Sequence, residues 1–68
     1  MEIDARGLSC PQPVIETKRA VDKKEEQLSV LVDNIAAKEN VGRFAKAMKY
    51  DVTIEDTDYG WKLNLNKR

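Results

Sequence analysis

The sequence predicts an α/β fold: a two-layer α/β sandwich in the order β-α-β-α-β-β, with a four-stranded mixed sheet and two helices on one face. Three observations carry this. Four short stretches alternate apolar and polar residues with the period of a strand. Two longer segments between them place apolar residues at helical spacing. Thr57-Asp58-Tyr59-Gly60 has the turn chemistry that closes a final hairpin.

Met1 to Ala5 reads as a short strand with Ile3 inward, and Arg6-Gly7-Leu8-Ser9 as a turn in which Gly7 supplies backbone freedom. A helix is predicted from Pro11 to about Lys24, because proline is tolerated in a first turn whose N–H groups have no intrahelical acceptor. Val14, Thr17, Lys18 and Val21 share one face, a thin stripe on which Lys18 would have to snorkel. Gln27 to Asp33 is the clearest strand, with Leu28, Val30 and Val32 on one side and Ser29, Leu31 and Asp33 on the other. Either Asp33 or Asn34 can cap the next helix. Ala37, Val41, Phe44, Ala45 and Met48 fall within an arc of about 100° at helical periodicity. Gly42 interrupts that pattern, so a short turn at Ile35 followed by a helix from Asn40 is an alternative. Val52 and Ile54 then share a strand face, as do Trp61, Leu63 and Leu65. The first two strands flank a crossover helix and should be parallel, with a right-handed connection.

The chain has 68 residues, one small domain or one domain of a longer protein, and its formal net charge is zero. With 41% hydrophobic residues it is too apolar for a disordered tail, and its mixed charge excludes a polycation. No apolar run exceeds three residues, far below the roughly 20 a membrane helix needs. Met1-Glu2-Ile3-Asp4 has neither the basic nor the apolar region of a secretory signal. There is one Cys and there is no His. An internal disulfide, a Cys/His zinc site and the Cys-His or Ser-His nucleophile pairs are therefore excluded. No resident cofactor or metal is expected. An unpaired Cys in a chain without a signal points to a reducing cytoplasm.

Chemistry concentrates in Gly7-Leu8-Ser9-Cys10-Pro11-Gln12-Pro13. Cys10 falls at the cap position of the first helix, where the helix dipole favours an anion and lowers a thiol's pKa. Pro11 and Pro13 remove two of the early N–H groups, which leaves the Gln12 N–H as the expected donor to the Cys10 sulfur. The alternative is that Cys10 is a small buried hydrophobe and the prolines are a plain helix start. Position alone leaves both readings open.

Asp4, Gly7, Leu8, Cys10, Pro11 and Pro13 match the pattern of the TusA/SirA-like sulfur-carrier family, in which a Cys-Pro-x-Pro motif opens the first helix. The similarity covers nearly the whole chain. The stretch from Asp33 to Val41 looks especially like the amino-terminal domain of YedF-type proteins, which are linked to selenium metabolism. The resemblance implies that Cys10 accepts sulfur as a persulfide and passes it on. It also implies a cysteine desulfurase or other sulfur donor, a downstream thiol acceptor protein and, in well-studied members, eventual tRNA thiolation. Gln12 stands where the best-known tRNA-thiolation member is acidic, and Ser9 where it is basic. The composition suits a carrier, because thiol-to-thiol transfer needs a thiolate and a partner Cys rather than an acid-base dyad.

Charge is unevenly spread. Residues 11–24 carry +2 and residues 35–49 carry +3, so the helical layer is basic and the remainder acidic. Lys18, Arg19, Arg43 and Lys46 are candidate partner-docking residues. The competing explanation is ordinary solvated lysine on exposed helix faces. Phe44, Tyr50, Tyr59 and Trp61 read as core or hairpin packing without the basic interleaving of a nucleic-acid platform, so direct nucleic-acid binding is not expected. A second function class is a small regulatory or binding module that docks through the basic helical face, with Cys10 structural.

Overall fold

The computed structural model describes residues 1–8 and 12–68. Ser9, Cys10 and Pro11, with the expected cap geometry of Cys10, lie outside the described residues. The elements run β1 Glu2–Asp4, α1 Gln12–Asp22, β2 Gln27–Val32, α2 Ile35–Ala47, β3 Tyr50–Asp56 and β4 Trp61–Lys67. The expected order is therefore present. The sheet is mixed, in spatial order β1-β2-β4-β3. β1 and β2 are parallel, with Ile3 opposite Val30, while β4 runs antiparallel to both β2 and β3.

Period-2 alternation sends Ile3, Leu28, Val30, Val32, Leu63 and Leu65 toward the helices. All of these but the half-buried Ile3 are buried, together with Ala20, Val21, Ala37, Val41 and Ala45. Burying this apolar surface between the two layers is the main force holding the fold. Among the described residues no buried side-chain polar atom lacks a partner. The hydroxyl of the fully buried Thr17 donates to the Pro13 carbonyl at 2.9 Å.

One local expectation is corrected, one open alternative is settled and one burial is added. α1 buries Pro13, Thr17, Ala20 and Val21 rather than a stripe containing Lys18. Lys18 instead stands in solvent and pairs with Asp22 at 3.0 Å, so no snorkelling is needed. α2 is one continuous helix from Ile35, because Asn34 caps it by accepting from the Ala37 N–H at 2.8 Å. Gly42 is tolerated inside it, buried over Leu63. Leu31, on the face away from the helices, is nevertheless buried at 8% exposure.

Candidate functional site

In a β-α-β-α order, the turns that leave the parallel strands emerge at the same end of the sheet. Here the turn after β1, the turn after β2 and the β3–β4 hairpin all lie there, since Trp61 sits beside Val32 on one side and Asp56 on the other across the ladder. Leu8 and Gln12, the described residues on either side of Ser9-Cys10-Pro11, belong to this end.

Side chains tie the three turns together. Asp4 accepts from the Arg6 Nε and Nη2, at 2.9 and 2.8 Å, and from the Arg6 backbone N–H at 3.1 Å. These bonds hold the Asp4 carboxyl down at about 2 and raise the Arg6 guanidinium further above its usual range. The Arg6 guanidinium lies 4.6 Å from the centre of the Tyr59 ring, which joins the β1 turn to the hairpin. Gly7, at φ +77°, donates its N–H to Asp33 at 2.9 Å, which joins the same turn to the end of β2. Gly60 closes the third side. A Cβ there would stand 2.5 Å from the Val32 carbonyl oxygen, so the hairpin backbone rests directly on β2.

The family model of sulfurtransferase TusA matches residues 1–67. The chain belongs to the TusA family. It is 35% identical over 69 residues to "Putative sulfur carrier protein MJ0990" of Methanocaldococcus jannaschii, covering 97% of this chain and 92% of that one. It is 35% identical over 60 residues to "Putative sulfur carrier protein YrkI" of Bacillus subtilis, covering 85% and 79%. Its fold matches the crystal structure of a SirA-like protein from Desulfitobacterium hafniense with a TM-score of 0.87 and 33% identity, over 96% of this chain and 93% of that chain. The TusA/SirA-like resemblance is thus established, and with it membership of a family of sulfur carriers that receive sulfur from a donor and give it to an acceptor. Among the described residues no helix is long and apolar enough to cross a membrane.

Within this TusA-family chain, the sequence-predicted residues Asp4, Gly7, Leu8, Gln12 and Pro13 are described and flank Cys10 in sequence, Asp4 on β1 and Gln12 and Pro13 on α1. Leu8 donates its N–H to the Ala5 carbonyl at 3.3 Å and packs on the core, and Pro13 is buried in the first turn of α1. The Gln12 amide donates to Glu16 at 2.9 Å, and Glu16 also pairs with Arg19 at 3.2 Å. Cys10 and Pro11 lie outside the described residues.

The candidate docking residues separate into two sets. Lys18 and Arg19 stand on α1, each paired with a carboxylate of its own helix. Arg43 and Lys46 stand together on α2, lining a groove against β3. Sequence reading missed Arg6, Asp33 and Lys38. The Lys38 ammonium lies 4.9 Å from the centre of the Trp61 ring. Tyr59 and Trp61 therefore do carry cations on their faces, drawn from residues distant in sequence. A cation opposite an aromatic across two turns leaves no periodic trace, and the Asp4–Arg6 spacing was the one local signal available.

Proposed function

We propose that this chain is a persulfide carrier in which Cys10 accepts one sulfur atom and relays it to a protein thiol. The observation that carries the reading is that Cys10 is the single thiol in a chain of a sulfur-carrier family. A covalently held sulfane sulfur has one residue to occupy. The chemistry is a pair of exchanges. The Cys10 thiolate attacks the outer sulfur of a donor's cysteine persulfide. The donor's S–S bond breaks, the donor thiolate leaves, and Cys10 becomes the persulfide. An acceptor thiolate then attacks that outer sulfur and releases the Cys10 thiolate. Each step conserves electrons, so no outside oxidant is required.

The residues around Cys10 are assigned supporting roles. Asp4 and Gly7 fix the turn that enters the loop, Leu8 anchors it to the core, and Pro11, Gln12 and Pro13 start α1 beneath it. The helix N-terminus favours a thiolate or persulfide over the neutral thiol. Lys18, Arg19, Arg43 and Lys46 guide partner approach. The donor is a cysteine desulfurase or another persulfide-bearing protein, and the acceptor serves sulfur or selenium metabolism, tRNA thiolation included. Residues 1–68 act as one carrier domain in a reducing, cytoplasmic setting.

The test is to incubate the protein with a cysteine desulfurase, its pyridoxal phosphate and free cysteine, then to measure intact mass without reductant. A reductant-labile gain of one sulfur atom, absent in Cys10→Ser, is expected. If the wild-type mass stays unchanged with desulfurase and thiosulfate-type donors while Cys10 remains alkylatable, the reading fails.

A further inference from the structure

β3 is an edge strand, paired only with β4 among the described strands. Its outer row of backbone N–H and C=O groups is therefore open to another strand. Beside it runs a groove of about 390 Å³ between α2 and β3, lined by Lys38, Glu39, Gly42, Arg43, Lys46, Val52 and Ile54. Its apolar side is half uncovered, since Ile54 faces the helical layer yet remains 45% exposed. Gly42 adds no side chain to the groove.

The two faces of β3 differ in charge and in how that charge is met. On the open sheet face, Asp51 pairs with Arg68 at 2.6 Å and Glu55 accepts from the Asn64 amide. On the helix face, Arg43 and Lys46 have no carboxylate partner among the described residues, and Lys38 meets the Trp61 ring. Among the described residues that line the groove, Glu39 is the one acid.

We propose that this groove is the docking site for an extended acidic segment of a partner protein, which adds to β3 as a fifth strand. Its helix-facing side chains are acidic at both ends and apolar between. The spacing fits. Lys38 and Lys46 are separated by eight residues of helix, about 12 Å at 1.5 Å per residue. Strand positions i and i+4 lie about 13 Å apart, so acids there reach both cations while i+2 covers Ile54. A second copy of this chain does not fit, because antiparallel β3–β3 pairing would set Asp51 against Glu55. Nucleic acid fits less well, because Glu55, Asp56 and Asp58 border the groove's hairpin end and would repel a phosphate backbone. The proposal is independent of what Cys10 carries.

The test uses the full chain with Cys10→Ser, which removes sulfur chemistry, and the peptide Thr-Glu-Thr-Val-Thr-Glu-Thr. Trp61 is the single tryptophan and lies beneath Lys38, so its fluorescence reports occupancy. Saturable binding that weakens with salt is expected, with backbone amide shifts along β3. Arg43→Glu with Lys46→Glu should weaken it at least about tenfold, and Glu39→Gln should tighten it about twofold. Equal binding of the rearranged peptide Thr-Thr-Glu-Glu-Thr-Thr-Val, no saturable signal, or indifference to the charge reversals would overturn the proposal. So would tighter binding of an oligouridylate of similar length. The mass assay on wild-type protein stands or falls separately.

Discussion

The two ends of the sheet are held by different chemistry. At the end that flanks Cys10, exposed charged side chains and the half-buried Tyr59 join three turns: Asp4 to Arg6, Arg6 to Tyr59, Asp33 to Gly7. Glycine appears there where a side chain cannot fit or the backbone turns left-handed. At the opposite end, closure is mostly backbone. Lys24 donates to Val21 at 2.9 Å and Lys49 to Lys46 at 3.0 Å, Lys67 donates to Glu26 at 2.8 Å, and the buried Tyr50 hydroxyl donates to the Glu25 carbonyl. Yet the left-handed positions there, at φ 60° and 67°, are filled by Lys24 and Lys49 rather than glycine. The site end is fitted by sterics and charge. The far end tolerates strain that a cheaper residue would relieve.

The largest effect that would break this comparison is at Gly60. Its φ is +151°, and an added Cβ would meet the Val32 carbonyl oxygen at 2.5 Å and the Asp33 Cα at 2.8 Å. Both are backbone atoms and cannot swing aside. Gly60→Ala should cost about 3 kcal/mol, a large share of a small domain's stability. Gly7, at φ +77° with open space around the Cβ position, should lose only about 1 kcal/mol on the same change. Urea unfolding of the two variants measures the contrast. Equal losses would show that Gly60 is not held by the β2 backbone.

What the sequence revealed follows from range. Alternation in Leu28-Ser29-Val30-Leu31-Val32 and in Trp61-Lys62-Leu63-Asn64-Leu65 made the strands and their inward residues legible, because that signal is local. The β4 position between β2 and β3 was not legible, since hairpin chemistry sets the partner of β3 but not what lies on its other side. Alternation puts Ile54 on one face with Val52, and that face turns toward the helices, but its edge strand leaves Ile54 exposed. The Cys-Pro-x-Pro loop was legible as a motif. The Arg6–Tyr59, Asp33–Gly7 and Lys38–Trp61 contacts were not, because each joins segments that only the tertiary fold brings together.

A smaller effect sharpens the comparison from the other end. Both α1 and α2 are followed, two residues beyond their ends, by a lysine in the left-handed region, and α1 also carries the longer bond from the Glu25 N–H to Ala20, at 3.5 Å, of a Schellman closure. A side chain there is strained by about 1 kcal/mol relative to glycine, partly offset by glycine's greater freedom when unfolded. Lys24→Gly and Lys49→Gly should each raise stability by about 0.5 kcal/mol, and roughly additively, since they close different helices. Denaturant midpoints measure this. A loss at either position would mean that the lysine side chain contributes more than its backbone costs.

The smallest expected effect concerns the ion pair on the turn that precedes Cys10 in the chain. Asp4 and Arg6 are both exposed, with side chains 55% and 41% accessible, so solvent screens the pair and its contribution to global stability is slight. Its pH dependence is still distinctive. The folded Asp4 carboxyl sits at about 2, below the value near 4 expected for an unfolded chain. Whatever stability it adds is fully present above that unfolded value and is lost as pH falls through the folded one. The carboxylate should therefore remain ionised, and the turn intact, at a pH where most exposed carboxyls are protonated. Following the Asp4 side-chain carbon by NMR from pH 6 to pH 1.5 measures it, with Arg6→Gln as the control that should move the midpoint up toward the ordinary range, short of it because the backbone N–H of residue 6 still donates to Asp4. If wild type and Arg6→Gln titrate together, the guanidinium does not hold Asp4 in solution, and the link from β1 through Arg6 to Tyr59 is lost with it.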